Sequence, residues 1–150
     1  MAHVAGCPLC DGPGGVLIGR TSKLRVIRSE EDPARFPAFY RVVWGDHVPE
    51  FSDLTPADRQ HCMDAVVLVE QALRLHLQPH KVNLAALGNA VPHLHWHVIA
   101  RFDWDSHFPA PVWAAPLREV VPAPVTRLRT GLAELDARVA RAAAALAPAA

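Results

Sequence analysis

The chain lacks any excess of charge of one sign. Lysine and arginine number 15, aspartate and glutamate also 15, and the formal net charge is zero. That removes the basic footprint of a protein that wraps nucleic acid, and none is expected as a partner. A small anionic substrate held by a few local groups stays open. Long apolar runs are missing too: stretches such as AVVLV are far too short to span a bilayer, so no membrane partner is expected. The opening MAHVAGCPLC has no basic segment followed by an apolar one. No signal peptide is therefore expected, and the reading is cytoplasmic. Cysteine is scarce and odd in number, three residues with two in a C-x-x-C pair. This fits a cytosolic chain with a metal or redox motif better than a disulfide framework.

What is present is apolar substance. Hydrophobic residues make up 51% of 150, enough for one domain with a sizeable core. A glycine-rich turn in CDGPGGVLIGR leads to a short strand, Val16 to Ile18, and LRVIR (Leu24 to Arg28) and FYRVVW (Phe39 to Trp44) read as strands. EEDPARFP between them is a loop. The clearest helix follows. Thr55 is its N-cap, Pro56 its first residue, and Asp58 completes a capping box. Cys62, Val66, Val69, Leu73 and Leu77 form its apolar stripe, and Pro79 ends it. KVNLAAL reads as a strand, the segment from Val91 to Ala100 as another, and the proline-punctuated stretch from Arg101 to Pro116 as irregular. Leu128, Leu132, Leu135, Val139, Ala142 and Leu146 make a second helical stripe, weakened by Gly131, that packs on the domain or on a partner chain. The tail RAAAALAPAA is expected to fray, and His3 to be disordered. Strands, helix, strands, helix is the order of an α+β domain with a largely antiparallel sheet.

The segment VPHLHWHVIA carries the chemistry. On a strand, His93, His95 and His97 share one face, each about 6.5 Å from the next, while Leu94, Trp96 and Val98 face a core. A catalytic metal site would need an aspartate where His97 stands, or a cupin-like glutamate where Arg101 stands. Structural histidines on a polar face are the plain alternative. Nucleophilic catalysis is the third reading. A neutral imidazole can attack phosphorus, and a flanking one can protonate a leaving group near neutral pH.

HLHWHVI resembles the histidine triad pattern, H-φ-H-φ-H-φ-φ with φ hydrophobic, at all seven positions. DHVPEFSDLTPADR, KVNLAALGN and FPAPVW are similar to further segments of that family, so the likeness runs from about Cys7 to Trp113. The resemblance implies a roughly five-stranded antiparallel sheet with a long helix packed on it and, here, a C-terminal helix. One domain over 1–150 is expected, with its core at about 7–113 and a mostly helical extension over 117–150. It also implies a nucleotidyl hydrolase or transferase in which His95 attacks the α-phosphorus, His97 lies near the leaving atom and His93 orients the site. Histidine rather than glutamine at 97 favours a hydrolase. Asn83 or Asn89, with backbone amides of the Gly88–Val91 turn, would contact phosphate. Glu31, the nearest by spacing in SEED, would take the ribose, with a solvated charge run as the plain alternative. Ile18, Leu24 and Val26 read first as core and could also contribute to the base slot. Trp113 would close over the site or reach a partner's. The family is commonly dimeric, so a homodimer is expected. A dinucleoside polyphosphate is the preferred substrate. A nucleoside phosphoramidate is the runner-up, and a nucleotide-binding regulatory module with little turnover is the alternative from another class. Relatives often carry a histidine where Phe39 stands and a hydroxyl where Ala90 stands, which touches the choice of leaving group.

No cofactor is needed for such chemistry, but Cys7 and Cys10 have the spacing of half a zinc site. The resemblance supplies His47 and His93 as the other half. Reduced surface thiols are the alternative. Redox catalysis is disfavoured, since no thioredoxin-like pattern follows. Cys62 reads as core, and His61, His76 and His80 as surface or capping residues.

Overall fold

The computed structural model describes residues 2–146 and 148. Its element order is α1 (Pro8–Asp11), β1 (Val16–Arg20), β2 (Leu24–Arg28), β3 (Phe39–Trp44), α2 (Pro56–Leu77), β4 (Lys81–Ala85), β5 (His95–Arg101) and α3 (Leu132–Ala144), with short 3-10 turns at Phe51–Asp53 and Pro124–Arg127. The five strands form one antiparallel sheet in the order β1-β2-β3-β5-β4. The expected α+β architecture is therefore the observed one. No helix among the described residues is long and apolar enough to cross a membrane.

Alternation along β3 and β5 divides the sheet into two faces. Tyr40, Val42, Trp44, Val98 and Ala100 join the main core, built with Leu24 and Val26 of β2 and with Cys62, Val66, Val69, Leu73 and Leu77 of α2. Leu24 and Val26 are thus core residues and cannot form a base slot, and Ile18 packs against the same core. The opposite face carries Phe39, Arg41 and Val43 of β3, in register with Ile99, His97 and His95 of β5. That second face is left for chemistry.

Helix α2 starts where its cap places it. Thr55 Oγ1 accepts the backbone N–H of Asp58 at 3.1 Å. The capping box is not closed, because the Asp58 carboxylate turns to Lys23 Nζ at 2.5 Å instead. The helix ends at Gln78, whose backbone takes a left-handed φ of 48°, just before Pro79 removes the next donor. His61 is a correction to the surface reading: it is buried, with its ring edge on Trp44. His76 lies half-buried and His80 exposed at the far end.

The C-terminal stripe is spent inside the chain. Gly131 is the N-cap of α3 rather than a weak point within it, and Leu128 precedes the helix. Leu135 and Val139 are fully buried against α2 and β1. Arg28 Nε and Tyr40 Oη both donate to Asp136 of α3, at 3.0 and 2.7 Å. The helix holds to Ala144 within the tail expected to fray, and residues 147, 149 and 150 of that tail lie outside the described ones. Ala2 and His3 are pinned rather than loose. His47 N–H donates to the Ala2 carbonyl, and His3 Nε2 lies 3.2 Å from Asp11. Leu135→Ala is expected to destabilise the fold by about 2–5 kcal/mol, because it empties a site with no exposure to collapse into. A urea midpoint unchanged within error would show that α3 is not part of the cooperative unit.

Candidate active site and metal cluster

Strand β5 begins at His95, two residues later than the alternation suggests. His93 sits in the bend ahead of it, while Leu94 N–H donates to Val48 and its carbonyl accepts from Trp44. The three histidines therefore do not line one strand face. His95 and His97 do, with ring centroids 5.0 Å apart, and His93 turns toward the N-terminus.

The hydrogen bonds fix the tautomers. His95 Nδ1 lies 2.6 Å from the His93 carbonyl, which can only accept, so Nδ1 carries the proton and Nε2 keeps its lone pair. Arg41 Nε donates to His97 Nδ1 at 3.2 Å, so the proton of His97 resides on Nε2. Burial lowers the pKa of both rings. The nearby Arg41 charge pushes the same way, and His97 comes down to about 3. The expectation of a flanking imidazole that titrates near neutrality is not met: in the free protein His97 is a neutral donor.

This has a stability consequence. His97 is 4% exposed and binds its proton only near pH 3, whereas the unfolded chain binds it near 6.5. As pH falls from 6.5 toward 3 the unfolded state takes up a proton that the folded state refuses. His97 alone should therefore steepen the loss of stability in that window by about 1.4 kcal/mol per pH unit. Urea midpoints for wild type and His97→Gln across the window test this. Parallel slopes would be inconsistent with a buried neutral ring.

A cavity of about 480 Å³ opens on this face. Its floor is His95 and His97. Pro8 and Leu9 of α1 line one side, the turn from Leu87 to Val91 another, and Gly14, Glu31, Arg41 and Trp113 complete it. The Trp113 ring meets His97 at 5.0 Å while remaining half exposed. Phe39 packs its ring edge against His97 from β3. Gly88 holds a φ of +71°, which turns the chain into the cavity wall. The N–H groups of Asn89, Ala90 and Val91 donate to no backbone carbonyl among the described residues.

Of the residues singled out from sequence, His95, His97, Asn89, Glu31 and Trp113 come together here. Asn83 does not line the cavity. Its Oδ1 accepts from Arg101, which also clamps Asp105 and the Ala110 carbonyl and so braces the loop leading to Trp113. His107 is buried in that loop with Phe36 and Ser106, away from the cavity. The sequence reading missed Arg41. The signal was a lone cation at the centre of an otherwise apolar strand. It also missed α1, whose Pro8 and Leu9 supply the apolar wall.

His93 belongs to a second constellation. Cys7, Cys10, His47 and His93 place one ligand atom each within 4.8 Å of the others. Cys10 Sγ lies 3.4 Å from both His47 Nδ1 and His93 Nδ1, and Cys7 Sγ lies 3.6 Å from His93 Nδ1. A tetrahedral zinc with ordinary bond lengths sets sulfur and nitrogen about 3.6 Å apart. His93 Nε2 donates to the Trp44 carbonyl at 2.7 Å, which leaves Nδ1 free to ligate. The cluster can therefore hold a metal. Cys62 stands apart as a core thiol whose pKa burial pushes up to about 12.

An antiparallel five-stranded sheet, backed by one long helix and presenting paired imidazoles over a cavity, is an α+β scaffold with a candidate active site on its open face. A family model, the HIT domain, matches residues 16–104, and the chain belongs to the histidine triad family. Proteins of this family bind nucleotides and in general are hydrolases or transferases. Among solved structures, the fold is similar to a histidine triad protein from Bradyrhizobium japonicum at 27% identity, covering 94% of this chain and 98% of that one with a TM-score of 0.71. A histidine triad protein from Sinorhizobium meliloti is similar at 26% identity, covering 86% and 90% with a TM-score of 0.65. One from Marinobacter aquaeolei shares the fold at 21% identity, covering 90% and 93% with a TM-score of 0.67. No curated protein matches the chain.

Proposed function

We propose that the protein hydrolyses a nucleoside phosphate linkage through a nucleotidyl-His95 intermediate, with a dinucleoside polyphosphate as substrate. The observation that carries this is the tautomer of His95. Its Nδ1–H is committed to the His93 carbonyl, so the lone pair of Nε2 is available as a nucleophile. In the first step Nε2 would bond to the α-phosphorus while the bridging P–O bond breaks, its electron pair leaving with the departing phosphate. In the second, water would attack the same phosphorus, the N–P bond would break back to the imidazole, and the water proton would leave to solvent. A nucleoside monophosphate is then released.

The other groups support this division of labour. His97 presents Nε2–H from beside the nucleophile, where it would hydrogen-bond the bridging or leaving oxygen. The amides of the Gly88–Val91 turn and the Asn89 side chain would hold the non-bridging oxygens. The base would lie on Pro8 and Leu9 with Trp113 above it. A phosphoramidate would release an amine that needs a proton, and a neutral His97 beside a fixed cation is poorly suited to give one.

The Cys7–Cys10–His47–His93 cluster would hold a structural zinc. When bound, that metal would supply no step of the reaction and would fasten α1 and the His93 bend beside the nucleophile. A homodimer, where formed, would not use the α3 stripe, whose leucine and valine are already buried within the chain. Turnover of dinucleoside polyphosphates and nucleoside phosphoramidates by wild type and His95→Ala tests the reading. Absence of turnover by wild type on either class, with nucleotide still bound, would replace it with the binding-module alternative.

A further inference from the structure

Arg41 touches no reacting atom in the chemistry set out above, where it acts only through His97, yet it is the feature of the cavity that fits least well with a purely structural purpose. It stands at the centre of β3, directly opposite His97, and is 8% exposed. Among the described residues that line the cavity it is the one arginine or lysine, and Glu31 the one carboxylate. Its guanidinium is anchored from behind by Nε on His97 and lies over the Phe39 ring at 5.2 Å. Nη2 reaches Glu31 at 2.7 Å, and Nη1 has no hydrogen-bond partner among the described residues.

The ion pair is lopsided. The Arg41 side chain is 10% exposed and fixed, whereas that of Glu31 is 71% exposed on a loop. A solvated carboxylate of this kind contributes little and is released at small cost. A buried arginine, by contrast, is a strong and planar site for phosphate oxygens. The neighbouring donors, His97 Nε2–H and the turn amides, would hold one phosphoryl group. The cation touches His97 and lines the same cavity as the turn, where it would meet the rest of a polyphosphate chain.

We propose that Arg41 is the specificity-determining residue of the site: it binds the phosphates beyond the attacked one, and Glu31 holds its place until they arrive. This rests on the nucleotide-site reading of the cavity and deepens it. It selects substrates whose leaving group is itself a phosphate chain, and it assigns Glu31 to Arg41 rather than to a ribose.

The test separates binding from turnover. Titration calorimetry would measure AMP, ADP and ATP, without divalent metal, on the His95→Ala full-length chain, which leaves the ligands intact. The expected result is affinity that rises from AMP to ATP, with Arg41→Gln lowering ATP affinity about 10- to 100-fold while AMP changes little. Adding Glu31→Gln should widen the preference for ATP, since the competing carboxylate is gone. Survival of the full ATP preference in Arg41→Gln would overturn the proposal. So would equal weakening of all three ligands by Glu31→Gln, the signature of a ribose contact. These outcomes are read whether or not the wild type turns over any substrate, so a failure of the hydrolase reading is seen separately. Circular dichroism melting of each variant checks the fold. Arg41→Lys serves as the second variant, and it should keep part of the ATP preference by retaining the charge.

Discussion

Replacing His95 with alanine is expected to lower turnover by about 10⁴-fold or more while leaving nucleotide affinity within a few-fold. The size follows from what is removed. On the proposed route alanine takes away the atom that would bond to phosphorus, and no other described side chain is placed to replace it: His97 has its proton on Nε2 and a lone pair already engaged by Arg41. His97→Ala should cost less, roughly 10²-fold, because it removes a donor to a developing charge and not the nucleophile. The ordering is as informative as the magnitudes. A His95→Ala protein retaining a tenth of wild-type activity would rule out the covalent route. A greater loss at 97 than at 95 would exchange the two roles.

Much of this arrangement is legible in the sequence because the local signals agree. LRVIR and FYRVVW are β-branched and aromatic runs, and both strands occupy those residues. Thr55-Pro56 fixes the start of α2, since a hydroxyl acceptor and a proline at the first helical position leave little choice. The failures come where tertiary contacts override a pattern. His93, His95 and His97 alternate as a strand would, but the ladder to β3 ends at His95, and the Val48 and Trp44 backbones draw Leu94 out of line. His61 has the polarity of a surface residue and is buried because Trp44 offers it a ring edge. Gly131 interrupts a leucine period and proves to be a helix boundary. Arg41 could not be weighed without β5 beside it. Its meaning lies in the register Arg41 opposite His97, a pairing of residues far apart in the chain.

That displacement of His93 out of the strand joins the two constellations, and it sets the second large expected effect. The His93 ring faces the cysteines, while its main-chain carbonyl takes the Nδ1–H of His95. Whatever fastens the ring also fixes the carbonyl that orients the His95 ring. Protein produced with zinc available is expected to carry one equivalent per chain. Stripping it with a chelator should lower the melting temperature by on the order of 10 °C, because a tightly bound ion adds several kcal/mol to a chain of this size. Cys10→Ser and His93→Ala should abolish the metal and show the same lowered melting, whereas Cys62→Ser, a core position, should keep the metal. Metal loss should then reduce kcat more than it raises KM, since it loosens the base of the nucleophile and not the walls that hold the nucleotide. A chain with no bound metal after expression with zinc, and no change in melting when zinc is added, would leave the cluster as four unligated side chains. The orientation of His95 would then rest on the hydrogen bonds that hold the His93–Leu94 backbone and on the one from His93 Nε2 to Trp44, and a metal-free protein should be fully active.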